Sequence, residues 1–274
     1  MNLRVAACQI LTYPDVQKST DKIVEWIRKA SDQNVDVVAF PEASLCGYAS
    51  SEEYWKKAKP DDFAVGEKRI IEASKEYGIA IVLGTVHWKD DALFNSILAI
   101  DKGGTVQGRY AKTHLAESWP VPGRTLPVYS LAGIRSCFLI CHDIRYPELV
   151  RLPAIVGAQI CYFCSNESGL LSEHKLSAYR AMPIARATEN GIFVVMTNAP
   201  GDPNDLQNSA QSHGNSKIIH PDGNVLQEAG YFEETLVVYS INIDEATRTI
   251  AERSVNDETI LNNWIKDGTN LVTG

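Results

Sequence analysis

No apolar run in this chain approaches the roughly 18 residues that a bilayer crossing requires, so a membrane-spanning helix is excluded. No signal peptide is recognisable: Met1-Asn2-Leu3-Arg4 leads directly into a strand-like segment. Positive charge is in short supply. Lys and Arg number 26 against 34 Asp and Glu, giving a net charge of −8, which argues against a nucleic-acid surface. The six His residues are scattered without metal-ligand spacing, and no His-Glu-x-x-His run occurs. Cys161-Tyr162-Phe163-Cys164 has no second CxxC to complete a zinc site. Internal repeats, low-complexity linkers and composition shifts are also missing, so residues 1–274 read as one domain. These absences leave a cytoplasmic protein with reduced thiols. Its expected partner is a small-molecule substrate, with no metal, cofactor, nucleic acid or membrane. In that setting the sequon Asn166-Glu167-Ser168 carries no glycan meaning.

What the chain does contain is ordinary globular material: 274 residues, 45% hydrophobic and 22% charged, enough for a core without staples. β-Branched runs predict strands near Leu3–Gln9, Val35–Phe40, Ile79–Val86, Asn95–Ile100, Val106–Tyr110, Val128–Leu131 and Ile134–Ile140. More are expected near Gln159–Phe163, Ile192–Thr197, Ser216–His220, Val225–Glu228 and Leu236–Ile243. Between them, Asp15–Gln33 sets Ile23, Trp26, Ile27 and Ala30 on one helical stripe, capped by Asp15 or Thr20. Helices are also expected over Gly66–Tyr77, Glu148–Val156 and Leu176–Asn190, the last interrupted or delayed by Pro183. Asp101-Lys102-Gly103-Gly104 and Pro221-Asp222-Gly223-Asn224 read as hairpin turns. The pattern is α/β, with helices covering sheets. The polar tail after Ile243 has one apolar cluster, Ile260, Leu261, Trp264 and Ile265. It could pack on its own domain or on a partner subunit.

Three ionisable residues stand just past the ends of apolar strands: Glu42, Lys112 and Cys141. Ligand sites in open sheets gather at such carboxyl ends. A thiol needs a base or a cation to become a useful nucleophile, because its free pKa of about 8.5 leaves little thiolate. Glu42 and Lys112 can supply both. Taken singly, each has a plainer reading: Glu42 as a helix cap or solvated turn, Lys112 as a surface charge, Cys141 as a buried core thiol.

Together they resemble a known family. Phe40-Pro41-Glu42, Tyr110-Ala111-Lys112-Thr113-His114-Leu115 and Cys141-His142-Asp143-Ile144-Arg145-Tyr146-Pro147-Glu148 are similar, in order and spacing, to the signature segments of the nitrilase, or carbon–nitrogen hydrolase, superfamily. The resemblance covers about residues 3–243. It implies a four-layer α-β-β-α sandwich, usually a homodimer extended across the interface, with the tail 244–274 a candidate for that contact. It also implies a triad of Glu42 as general base, Lys112 as electrophilic stabiliser and Cys141 as nucleophile, with Glu117 as a second glutamate. The segment from His114 to Glu117 is shorter than in many relatives.

The implied reaction is cleavage of a small amide or N-carbamoyl compound, with release of ammonia through a Cys141 thioester. His142-Asp143 after the thiol resembles the amidase and carbamoylase branches. A nitrile is the alternative substrate, and a non-catalytic binding protein on the same fold is another reading. A Cys–His hydrolase using His142 or His114 is a third; side chains of neighbours in an extended segment point apart, which counts against His142 as base. It is expected instead to line the pocket or to contribute only its N–H, and His114 to support Lys112. Tyr48, Arg145 and Asn166 are candidate substrate-binding residues, and Trp119 and Tyr146 lie on nearby loops. Arg145 could hold a carboxylate in bidentate fashion or pair with Asp143 or Glu148.

Overall fold

The computed structural model describes residues 1–48, 52–168, 176–205, 211–257 and 261–274. Its strands are β1 (Asn2–Gln9), β2 (Val37–Ala39), β3 (Ala80–Lys89), β4 (Ala92–Asp101), β5 (Thr105–Ala111), β6 (Leu126–Pro127), β7 (Tyr129–Leu131) and β8 (Ile134–Ile140). They continue with β9 (Ile160–Ser165), β10 (Phe193–Asn198), β11 (Lys217–Ile219), β12 (Val225–Glu228), β13 (Thr235–Asn242) and β14 (Val272–Thr273). The helices are α1 (Val16–Ser31), α2 (Glu52–Lys57), α3 (Pro60–Tyr77), α4 (Glu148–Ile155), α5 (Leu176–Thr188), α6 (Thr249–Asn256) and α7 (Asn262–Thr269).

Two six-stranded sheets result, ordered β13-β1-β2-β3-β4-β5 and β12-β11-β10-β9-β8-β7. Each has three parallel strands at its heart, β1-β2-β3 in one and β8-β9-β10 in the other. Each has one antiparallel strand on one side and two on the other. The sheets pack face to face through Val5, Ala7, Val37, Ala39 and Val82 against Phe138, Ile140, Tyr162 and Val195, all buried. Strands buried on both faces read as continuous apolar runs, which is how β9 and β10 appear in the sequence. On the outer face of the first sheet, α1 and α3 cover Ala6, Val38, Ile81 and Leu83. On the outer face of the second lie α4 and α5. The fold is therefore the four-layer α-β-β-α sandwich.

Local chemistry explains the boundaries. The Asp15 carboxylate accepts the Lys18 N–H at 2.9 Å and caps α1, and Ile23, Trp26, Ile27 and Ala30 form its buried stripe. α3 starts at Pro60, well before the expected Gly66. Pro60 is pre-set for a first helical turn, Asp61 and Asp62 suit the positive helix end, and Phe63 extends the buried stripe. α2 was not foreseeable from periodicity, because Trp55 is its one buried residue. Pro183 lies inside α5, buried, beyond the first turn. The tail also folds: α6 and α7 pack on α4, and β14 pairs in parallel with β6. The tail thus lies on its own domain, while Leu261, Trp264 and Leu271 remain more than half exposed. Ile260, of the expected apolar cluster, lies outside the described residues.

The loop after β2 is pressed against β3. A Cβ on Gly84 would meet the Pro41 carbonyl oxygen at 1.9 Å and the Ala43 nitrogen at 2.9 Å, both backbone atoms that cannot swing aside. Gly84→Ala is expected to push the 41–43 backbone outward and cost about 1–3 kcal/mol. Urea unfolding measures this; an unchanged midpoint would mean that the loop is not held by β3.

Candidate active site

The strand ends deliver four side chains to one seam between the sheets. Glu42 follows β2 and Lys112 follows β5, both from the first sheet. Cys141 follows β8 and Glu167 follows β9, both from the second. Lys112 has no exposed side-chain surface and Glu42 has none either. The Lys112 ammonium donates to Glu42 Oε1 at 2.9 Å and to Glu117 Oε1 at 2.7 Å. So neither plainer reading survives: Lys112 is not a surface charge, and Glu42 is not a solvated turn. Glu42 Oε1 also accepts from the Asn95 amide at 2.8 Å, and its Oε2 accepts the Asn166 N–H at 3.0 Å. The Tyr48 phenol donates to Glu117 Oε1 at 2.8 Å.

Backbone contacts hold this set. The Lys112 N–H donates to the Asn95 carbonyl at 2.8 Å, and the Gly123 N–H donates to the Lys112 carbonyl at 2.8 Å. Gly123 is small because the Ala111 carbonyl passes where a Cβ would stand, 2.2 Å away. Across the seam, the Glu42 N–H donates to the Ser165 carbonyl at 3.3 Å.

Cys141 opens a short 3-10 turn, Cys141–Arg145, straight off β8. Its φ is +46°, in the left-handed region that non-glycine residues seldom occupy. Strain of this kind persists only where the surroundings impose it. Here Asp143 imposes it. Its Oδ2 accepts from the Ile140 N–H at 3.1 Å and the Tyr110 phenol at 2.8 Å, and its Oδ1 from the N–H groups of Thr113 and His114. One buried carboxyl therefore ties the Cys141 turn to the loop that carries Lys112. Burial pushes Asp143 up to about 6, although its donors pull the other way.

Cys141 as a residue is 8% exposed. Its hydrogen bond goes to Glu167 Oε2 at 3.3 Å and not to Glu42. Glu167 is 3% exposed, and its N–H donates to Asn198 Oδ1 at 3.0 Å. Neither His142 nor His114 engages the sulfur. The His114 ring stacks on Tyr146 with centroids 3.4 Å apart, and the half-buried His142 ring lies 5.7 Å from the same tyrosine. Arg145 is exposed, its guanidinium 5.8 Å from the Tyr179 ring centroid. It makes no ion pair with Asp143 or Glu148, since Asp143 is spent on the donors above. Trp119 stacks on Trp55 at 4.3 Å. Cys161 and Cys164 are buried free thiols inside β9, consistent with packing.

The electrostatics follow from one cation among carboxyl groups. Burial raises Glu42 to about 7; Lys112 opposes the shift and Glu117 adds to it. Burial pulls the Lys112 ammonium down, but Glu42, Cys141 and Glu117 outweigh it and hold the proton firmly. Burial pushes Glu117 up, and Lys112 more than reverses this, leaving it below the usual range. The Cys141 thiol is driven well up by burial and then by Glu42, with Lys112 opposing. At rest Cys141 is held as the neutral thiol.

Sequence reasoning found Glu42, Lys112, Glu117, Cys141, Tyr48 and Asn166, and the fold brings these together. It missed Asn95 and Glu167. Glu167 lay in the sequon that was set aside, yet it follows β9 as closely as Glu42 follows β2. That strand-end position was the available signal.

Residues 4–251 match the profile of the family described as Carbon-nitrogen hydrolase. The chain is similar to a 2-oxoglutaramate amidase of Bacillus subtilis, 30% identical with 90% of this chain and 93% of the relative covered. It is also similar to a hydrolase in the agr operon of Staphylococcus lugdunensis, 33% identical over 78% and 90% of the two chains. Among solved structures, a variant of the amidase from Nesterenkonia sp. AN1 superposes with a TM-score of 0.79 at 26% identity, covering 93% of this chain and 99% of that one. That structure carries acrylamide added to the active-site cysteine.

Proposed function

Since the chain belongs to the carbon–nitrogen hydrolase family, we propose that it hydrolyses the C–N bond of a small amide or N-carbamoyl compound and releases ammonia. The observation that carries this reading is the fully buried Lys112 ammonium, shared by Glu42 and Glu117 beside the strained Cys141 turn. A buried charge of this kind is costly unless it is used or fully paired. The amidase identity of the Bacillus and Nesterenkonia relatives supports an amide over a nitrile.

The steps balance as follows. The thiol turns from Glu167 to Glu42, and the Glu42 carboxylate takes its proton. Sulfur attacks the carbonyl carbon, and the oxyanion forms against the Lys112 ammonium and the His142 N–H. One such preorganised donor is worth ~3 kcal/mol. The C–N bond breaks, and the proton on Glu42 leaves with the nitrogen as ammonia. Water then attacks the thioester and gives its proton to Glu42. The acid departs, and the proton returns to sulfur. Glu117 and Tyr48 hold Lys112 in line, and Asn95 and the Asn166 N–H hold Glu42. Tyr48, His142, Arg145 and Asn166 border the acyl pocket.

Cys141→Ala is expected to abolish ammonia release, and mass spectrometry of the wild type with a turned-over amide is expected to find an acyl adduct on Cys141. Absence of any adduct together with full activity of Cys141→Ala would sink the thioester mechanism. Glu42→Gln is expected to lower kcat/KM by ~10²–10⁴-fold.

The base must be deprotonated to act, and Glu42 titrates near 7. The kcat/KM of the free enzyme is therefore expected to rise with pH through a midpoint near 7. A rise centred in the ordinary carboxylate range would remove Glu42 from the role of base.

We also infer a single-domain cytoplasmic homodimer. The exposed Leu261, Trp264 and Leu271 on the folded tail support an apolar contact there. Sedimentation velocity is expected to find a dimer that Trp264→Glu weakens; a wild-type monomer at micromolar concentration would refute it.

A further inference from the structure

Glu167 has no step in the proposed reaction, yet the nucleophile donates its hydrogen to it. Its Oε2 accepts from Cys141 Sγ at 3.3 Å, and the residue is buried. The carboxyl is supported from behind. The buried Tyr179 phenol of α5 hydrogen-bonds to it as well. Burial above all pushes that phenol up, with Glu167 adding to the rise, so Tyr179 stays a donor. The Glu167 N–H binds Asn198 Oδ1, which also accepts the Ser212 hydroxyl at 2.9 Å. The same helix grips the turn that carries the sulfur. Arg186, two helical turns after Tyr179, donates to the Ile144 carbonyl at 3.1 and 2.7 Å. Tyr179, Pro183 and Arg186 share the buried face of α5. One helix therefore holds both ends of the Cys141–Glu167 contact.

That contact acts on the thiol in two ways. A hydrogen bond made by the neutral form of an acid disfavours its ionisation, and an anion in contact disfavours it further. Glu167 does both to Cys141. The other carboxyls of the site are turned elsewhere: Glu42 and Glu117 close on the Lys112 ammonium, and Tyr48 donates to Glu117. His142 and Arg145, on the Cys141 turn, lie against Tyr146 and Tyr179. Burial and Glu42 hold the thiol up, Lys112 opposes them, and Glu167 adds to the rise. Acylation takes the hydrogen from sulfur, but the carboxyl keeps its bond from Tyr179, so no buried acceptor is stranded when the contact is given up. The contact thus weighs on the free enzyme and not on the acyl-enzyme.

We propose that Glu167, buttressed by Tyr179, is a positioning residue that keeps Cys141 protonated and its hydrogen turned from Glu42 in the free enzyme. The nucleophile is thereby dormant toward any electrophile that is not aligned with Glu42. The proposal rests on the hydrolase reading above, because it assigns a resting state to the nucleophile of that reaction. Its consequence is chemical. The thiolate, and not the thiol, attacks soft electrophiles, so a residue that suppresses the thiolate shields the enzyme between turnovers.

The test follows the rate at which methyl methanethiosulfonate modifies Cys141 in the full-length protein without substrate, as a function of pH, with mass spectrometry locating the label. The thiolate displaces methanesulfinate and gains a methylthio group, so the rate reports the thiolate fraction. The wild-type rate is expected to rise with a midpoint above the roughly 8.5 of a free thiol. Glu167→Gln, with an unchanged thermal midpoint, keeps an acceptor for Tyr179 but removes the charge. Its profile is expected to move down by about one pH unit or more, with the rate at neutral pH up about tenfold. Tyr179→Phe leaves the Glu167 charge to the thiol alone, so its profile is expected to stay in place or move up. A general loosening of the site would move both variants the same way. A wild-type midpoint at or below that of a free thiol overturns the proposal. So does a folded Glu167→Gln whose midpoint is unchanged or higher, or a folded Tyr179→Phe whose midpoint falls. If Glu167→Gln does not fold, the wild type and Tyr179→Phe carry the test. The assay reads no turnover, so these outcomes leave the hydrolase reading intact. That reading fails instead if no amide yields ammonia and no Cys141 adduct forms, and this proposal falls with it.

Discussion

The Lys112 ammonium is held out of water entirely, and two carboxyl groups close around it. Much of the site is a consequence of that burial. Removing one partner from such an arrangement costs about 3–5 kcal/mol, because a charge is left uncompensated. Glu42 and Glu117 must therefore stay where they are, and the loops that bear them must stay as well. The same ammonium separates the two carboxyl groups chemically. Glu42 rises toward neutrality, where a base can both take and return a proton. Glu117 stays ionised as the permanent counter-charge. Two identical side chains on one cation thus take different roles through burial and position alone.

Asp143 does for geometry what Lys112 does for charge. It gathers four donors from β5, its following loop and β8. That gathering fixes Cys141 in a backbone conformation it would otherwise avoid. Much of the motif around the cysteine is thus structural. Asp143 contributes a clasp.

The layered architecture was readable from the alternation of β-branched runs with 3.6-period stripes, and the strand positions agree to within a few residues. The three strand-end residues Glu42, Lys112 and Cys141 were readable because their chemistry is complementary and their placement alike. Glu117 and Tyr48 came from resemblance and from loop position, and the fold joins them through one hydrogen bond. What stayed hidden has physical reasons. α2 buries one tryptophan and carries no period. The tail helices pack through few apolar residues. Asn95 points into the site from the middle of β4, where alternation alone does not distinguish a core amide from a working one. Glu167 sat beside Asn166 in a segment whose most visible pattern was irrelevant. Arg145 was offered a partner in Asp143 that the backbone had already taken.

No repeat is visible in the sequence, yet both sheets are built to one plan. Three parallel strands are flanked by one antiparallel strand on one side and two on the other. The centre of each plan, β2 in one sheet and β9 in the other, ends in a glutamate aimed at the same seam. Glu42 and Lys112 arrive on one layer, and Cys141 and Glu167 arrive on the other. A chain that has formed both sheets but not docked them possesses every one of these residues and no site. Docking of the two layers is what brings the carboxylate–ammonium cluster of one to the thiol of the other.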